Sequence, residues 1–159
     1  MLKKILGMLW RGAPKSARRW GVWLAEPGFM VTVAAVVVDD SGRVMLLNHE
    51  FRAGSGWGIP GGFNEAGEQP LEAIRREMRE EIGVEFDAVE LLSVRTLKRP
   101  QQLEIYFRCR LRERERATPQ SMEINSVGWF KPDALPPELS MDERRTIKDA
   151  LAGGAKTAE

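Results

Sequence analysis

The stretch from Pro70 to Gly83 leaves the chain little choice of structure. Leu71, Ile74, Met78 and Ile82 recur at three- and four-residue intervals, the period of one helix face. Proline suits the first helical position, where its missing N–H costs nothing, and glycine suits the stop. At about 100° per residue, Glu77, Glu80 and Glu81 project from one side, about 110° around from the apolar stripe, so that their carboxylates can converge. Arg75, Arg76 and Arg79 fill the opposite flank. Glu77 with Glu81 is a like-charge pair that costs a few tenths of a kcal/mol, so something cationic should compensate. Arg76 with Glu80 and Glu72 with Arg76 are ordinary favourable pairs. On the helix alone, a charged solvated face and an acidic site both remain open.

The rest of the chain reads as alternating strands and turns. Residues 30–38 are rich in β-branched side chains and predict a buried strand. Residues 39–42 form a turn, and residues 43–48 return as a second strand. Five glycines and a proline within residues 53–62 predict an irregular loop. Residues 89–97 and 103–111 are strand candidates joined around Pro100. The second alternates Leu103, Ile105, Phe107, Cys109 and Leu111 against Glu104, Tyr106, Arg108 and Arg110. A short strand at 126–130 and a helix at 141–151, opened by Ser140 as N-cap, close the chain. At 159 residues, one domain with a buried core is expected.

The segment leading into the helix narrows the choice. Gly62 is followed after five residues by Glu68, and after seven more by Arg76-Glu77-Met78-Arg79-Glu80-Glu81-Ile82-Gly83-Val84. This resembles the Nudix box, whose pattern of Gly, Glu, Arg-Glu-apolar, Glu-Glu and Gly-apolar is met at all nine specified positions without insertion. Trp57-Gly58-Ile59-Pro60-Gly61 is similar to the usual approach to that box, and a looser resemblance runs from about Val31 to the closing helix.

The resemblance implies an α/β fold, the Nudix-type α/β/α sandwich around a mixed sheet. It also implies an enzyme of the Nudix hydrolase family, a pyrophosphohydrolase acting on phosphoanhydride bonds. Glu77, Glu80 and Glu81 would hold Mg²⁺, with Mn²⁺ as a substitute, and Gly61 would add a backbone carbonyl. Oxygen ligands suit such hard cations. Glu77 or Glu80 would lie nearest the attacking water, and family members differ on which acid is the base. Glu68 and Arg76 would tie loop to helix by a salt bridge and support the site's geometry. A further acid from a later loop is expected at Glu123, with Glu104 as its rival. Arg52, Trp57 and Arg99 are candidate substrate contacts, while His49 reads as a strand-end residue. Pro100 is similar to a marker of ADP-ribose hydrolases, yet it also stands where a hairpin needs a turn.

The function implied is cleavage of a pyrophosphate bond in a nucleoside diphosphate linked to another group, of sugar nucleotide or ADP-ribose type. An oxidised nucleoside triphosphate pyrophosphohydrolase and a non-catalytic Nudix-fold nucleotide-binding regulator are the alternatives. One cysteine, Cys109, and one histidine are too few for a Cys/His zinc site. A net charge of +1 gives no argument for nucleic acid, but six Lys or Arg and no acid fall within residues 1–25. That basic segment is divided from a hydrolase domain at 26–152 and from a tail at 153–159 expected to be disordered. Leu2, Ile5, Leu6 and Leu9 lie at helical spacing, so residues 1–10 predict a short amphipathic helix. Packing on the domain or in a homodimer, contact with a membrane surface, and disorder compete for it. Its apolar run is broken by Gly7 and lacks a cleavage site, so a cytoplasmic protein is expected. No apolar stretch is long enough for a transmembrane segment.

Overall fold

The computed structural model describes residues 2–26, 28–52, 54, 56–111 and 117–153. Of residues 30–38, expected as a strand, all but the last form β1 (Met30–Val37), followed by β2 (Val44–His49), β3 (Trp57–Gly58) and β4 (Gly61–Phe63). The acidic helix is α3 (Pro70–Ile82), after which come β5 (Phe86–Leu97), β6 (Gln102–Leu111), β7 (Ile124–Phe130) and α4 (Met141–Leu151). Two helices, α1 (Leu2–Gly12) and α2 (Lys15–Ala25), precede them. A single helix over residues 1–10 is therefore too little, because Pro14 restarts the chain into a second one. Of the expected tail, residues 154–159 lie outside the described residues. Among the described residues no helix is long and apolar enough to cross a membrane.

Four strands pair in the order β4-β1-β6-β5, with β1 and β6 parallel and the other pairs antiparallel. Three more pair as β3-β2-β7, all antiparallel, and a bridge between Val38 and Val44 links β1 to β2. Period-two alternation sends the side chains of β1 to two cores. Val33, Ala35 and Val37 pack with Ile74, Met78 and Ile82 of α3, while Val36 packs with Ile147 and Ala150 of α4. The mixed sheet is thus enclosed by α3 on one side and α4 on the other, the α/β/α arrangement the resemblance implies. Ile74, Met78 and Ile82 have no exposed surface, and each such burial stabilises the fold by roughly 1.5–3 kcal/mol.

Three local features depart from the sequence reading. The glycine-rich loop is not irregular throughout: β3 pairs with β2, and β4 lies along β1 with Val33 opposite Gly62 and Ala34 opposite Gly61. Leu71 is 44% exposed, and Ala73 faces the core instead. Tyr106, on the presumed polar face of β6, is buried in the α4 core, so this strand is covered on both sides. The ends of α3 follow expectation, with Pro70 in the first turn, a capping box between Gln69 and Glu72, and Gly83 in the left-handed region at φ 69°. Ser140 caps α4, its Oγ accepting from the Glu143 N–H at 3.2 Å.

Candidate active site

Burial separates the three acids of α3. Core packing turns the helix so that Glu81 falls between Ala73 and Ile74, and it is only 8% exposed. Glu77 is half-buried and Glu80 is exposed. Desolvation pushes the Glu81 carboxyl up to about 8, the charge of Glu77 adds to the rise, and a hydrogen bond from the Gly61 backbone opposes it. Burial likewise raises Glu77, against the pull of Arg76. Glu81 Oε2 is buried with no hydrogen-bond partner.

Arg76 organises the rim. Its Nε and Nη2 donate to the two Glu68 oxygens at 3.0 and 3.1 Å, in the salt bridge expected between loop and helix. Nη2 also donates to the Phe63 carbonyl at 2.9 Å, and Nη1 donates to Glu77 Oε1 at 2.9 Å and Glu80 Oε2 at 3.3 Å. Arg76 therefore lies on the flank of the glutamates rather than opposite them. Its hydrogen bonds hold the Glu68 carboxyl below the usual carboxylate range, and they raise the guanidinium further above neutrality. Because a planar fork serves these acceptors, Arg76→Lys is expected to lower turnover about 10- to 100-fold, the range for losing a group that orients ligands. Steady-state kinetics at saturating metal, together with a metal titration, would check it; unchanged values would make Arg76 a surface residue.

The second half of the site is backbone. A Cβ built on Gly61 would stand 2.1 Å from the Val33 carbonyl oxygen, and one built on Gly62 would stand 2.4 Å from the Glu77 carboxyl carbon. The glycines thus let β4 lie against β1 and let Glu77 occupy the space beside it. Among the described residues no three acid, histidine or cysteine side chains are gathered closely enough to enclose an ion as they stand. The chemistry of the donors nonetheless fits a hard divalent cation. An orphaned carboxylate oxygen is buried in low dielectric beside a second raised carboxyl, which a cation would compensate.

A cleft of about 340 Å³ opens beside Gly61 and Gly62. Arg52 enters it, its Nη2 donating to buried Glu143 Oε1 at 2.7 Å. Burial would raise Glu143, but hydrogen bonds from Ser140 and the charge of Arg52 outweigh it and hold the carboxyl low. On the facing wall Arg95 binds Glu104, donates to the Tyr106 hydroxyl at 3.0 Å and pairs with Asp142 at 3.0 Å. Glu104 also accepts from Tyr106 at 3.2 Å and from Gln102 at 3.3 Å. Burial and the neighbouring Glu104 push the Tyr106 hydroxyl up to about 12.

The other sequence candidates separate cleanly. Glu123 is exposed just before β7, where its negative charge adds to the rise at Glu81. Its rival Glu104 is a cleft-wall residue committed to Arg95, Tyr106 and Gln102. Arg52 lines the cleft, but Trp57 packs edge-on against Phe130 at 4.9 Å and Arg99 lies in the β5–β6 turn, and neither lines it. His49 ends β2 as expected, with Nε2 buried and without a hydrogen-bond partner. Arg95, Tyr106 and Glu143 were not singled out by sequence. The Ser140-x-x-Glu143 spacing is a capping-box signal that could have found the last, whereas Arg95 stands opposite Glu104 only through strand register.

The family model for the NUDIX domain matches residues 28–150. A MutT-like protein from Streptomyces ambofaciens is 32% identical over 130 residues, covering 81% of this chain and 81% of that protein. The NAD-capped RNA hydrolase NudC from Pseudomonas aeruginosa is 40% identical over 76 residues, 48% of this chain, and the matched region spans only 27% of that relative. The crystal structure of a MutT NUDIX hydrolase from Burkholderia pseudomallei has the same fold, with a TM-score of 0.68, 24% identity, and coverage of 77% of this chain and 98% of that one.

Proposed function

Because this chain belongs to the Nudix family, we propose that α3, β4 and the cleft beside them form the active site of a magnesium-dependent hydrolase. It cleaves the pyrophosphate bond of a nucleoside diphosphate linked to a sugar or another small group. The observation that carries this reading is the buried, unpartnered oxygen of Glu81 beside Glu77 and the Gly61–Gly62 backbone, which in turn lines a cleft walled by Arg52 and Arg95. Glu77, Glu80 and Glu81 would hold Mg²⁺ or Mn²⁺, joined by the Gly61 carbonyl. When bound, the ion neutralises phosphate oxygens and lowers the pKa of the attacking water.

The chain's own residues supply binding and positioning. Arg52 offers a guanidinium to a substrate phosphate, and Glu143 fixes it there from the start of α4. Tyr106, Gln102 and Glu104 present donors and acceptors to the group beyond the diphosphate. Arg76 holds Glu68, Glu77 and Glu80 in one web, and Glu77, Glu80 or Glu123 takes the proton of water. Water oxygen bonds to phosphorus, the bridging P–O bond breaks, and the products are a nucleoside monophosphate and a phosphorylated partner. The relative named for NAD-capped RNA supports the substrate class, since NAD itself joins two nucleosides through a pyrophosphate.

Product release over a nucleotide panel tests the proposal, using ADP-ribose, sugar nucleotides, dinucleotides and oxidised triphosphates with Mg²⁺. Turnover of an ADP-ribose or sugar-nucleotide substrate, abolished by EDTA and by Glu80→Gln, is expected. Turnover confined to oxidised triphosphates would replace this substrate class, and binding without any turnover would make the chain a regulator.

A further inference from the structure

A groove on the second N-terminal helix shares no lining residue with the cleft beside Gly61 and Gly62. It measures about 1000 Å³ and is lined by Lys15, Arg18, Arg19, Trp20 and Trp23 of α2. Among the described residues of α2 none is buried. Trp20 is 63% exposed, Trp23 69% and Leu24 74%, with the two indoles edge to face at 5.5 Å. α1 meets the other side of the helix through Trp10, whose ring fits against Gly21, where a Cβ would meet it at 2.9 Å. Around the helix Gly21 is about 60° from Leu24, about 100° from Trp20 and about 160° from Trp23, so that contact leaves the indoles free. Contiguous large apolar groups of this kind mark a surface built for an occupant.

Charge selects the occupant. Residues 1–25 carry six Lys or Arg and no acid, which leaves the remainder of the chain net acidic by five. A second copy would bring its own Lys15, Arg18 and Arg19 against these cations, so symmetric pairing through this face is opposed. Lys15 and Arg18 stand in the first turn of α2, where no acid accompanies them and where the positive end of the helix dipole repels them. Negative charge from outside relieves that repulsion. A nucleic acid would satisfy the cations but leave Leu24 and Met8 in water. An anionic bilayer satisfies both, with indoles at headgroup depth, Leu24 toward the acyl chains, and Lys and Arg stems reaching phosphates.

We propose that α1 and α2 dock this protein on the surface of an anionic phospholipid bilayer through the Trp20, Trp23 and Leu24 face and its flanking cations. Flotation of the full chain with vesicles tests it, comparing phosphatidylcholine alone with phosphatidylcholine mixed with phosphatidylglycerol. At low ionic strength the chain is expected to float with the mixed vesicles only, with a blue shift of tryptophan emission and release as salt is raised. Trp20→Ser with Trp23→Ser, and separately Lys15→Glu with Arg19→Glu, should each weaken vesicle binding about tenfold or more. Both should leave nucleotide hydrolysis unchanged, and circular dichroism checks that each variant is folded. Absence of binding to the mixed vesicles, or equal binding to both kinds, overturns the proposal. Binding of an RNA oligomer without vesicle binding would instead assign the face to nucleic acid. A concentration-dependent dimer in sedimentation, lost in the tryptophan variant and without vesicle binding, would assign it to a second copy.

Discussion

Glu81→Gln should lower kcat by about three orders of magnitude, the scale of losing a group that acts on developing transition-state charge. The same substitution should raise the melting temperature of the metal-free protein at alkaline pH. The folded carboxyl titrates near 8 against an ordinary 4.5, because burial and Glu77 oppose its ionisation. Between those values the folded chain keeps a proton that the unfolded chain has released, so stability falls as pH rises through the window. The contribution is fully present below about 4.5 and lost above about 8, on the order of a few kcal/mol. Glutamine is neutral throughout and escapes that loss. Thermal melts in EDTA at pH 5 and pH 8.5 should show wild type and variant close together at the lower pH and the variant clearly higher at the upper one. Parallel curves would mean that Glu81 is not a suppressed carboxylate.

The paired glycines of β4 should respond to alanine in opposite ways. At Gly61, φ is +152° and the new methyl would stand 2.1 Å from the Val33 carbonyl and 2.7 Å from Ala34 Cα. Both are backbone atoms of a strand paired on either side and cannot withdraw. Gly61→Ala should cost on the order of 3 kcal/mol or more, lowering the melting temperature by roughly 10 °C. At Gly62 the methyl meets only the far end of the Glu77 side chain, which can swing away. Gly62→Ala should therefore melt within a few degrees of wild type yet lose about 100-fold in kcat, because the displaced carboxylate no longer faces the site. Calorimetry beside kinetics separates the two, and a Gly62→Ala enzyme of full activity would remove Glu77 from the chemistry.

How much of this was legible in the sequence follows from where side chains carry the signal. α3 was legible because its period, proline and glycine agree, and the spacing of its acids with Gly62 and Glu68 pointed to the family. The burial of Glu81 was not, because the helix rotates to seat Ala73 rather than Leu71, a choice made by the facing strands. β3 and β4 escaped notice because paired glycines leave no alternating pattern. The two-sided burial of β6 was hidden by Tyr106, whose polar tip meets Glu104 while its ring is covered. The cleft wall required strand register: Arg95 and Glu104 are nine residues apart along the chain and opposite each other only once β5 and β6 pair. In α2 only Trp20, Trp23 and Leu24 share a large apolar face, while Val22 falls among Lys15, Arg18 and Arg19, too short a stripe to announce the helix.

The two covers of the sheet carry separate duties, with consequences for descent. The acids come from the helix seated on one core, whereas Tyr106 and Glu143 of the cleft wall come from the strand and helix that enclose the other. On the proposed site, changes that accumulate around α4 and the β5–β6 hairpin would redirect which group is accepted while leaving the acids of α3 where they are. A lineage built on this plan can drift in diet without having to reinvent its teeth.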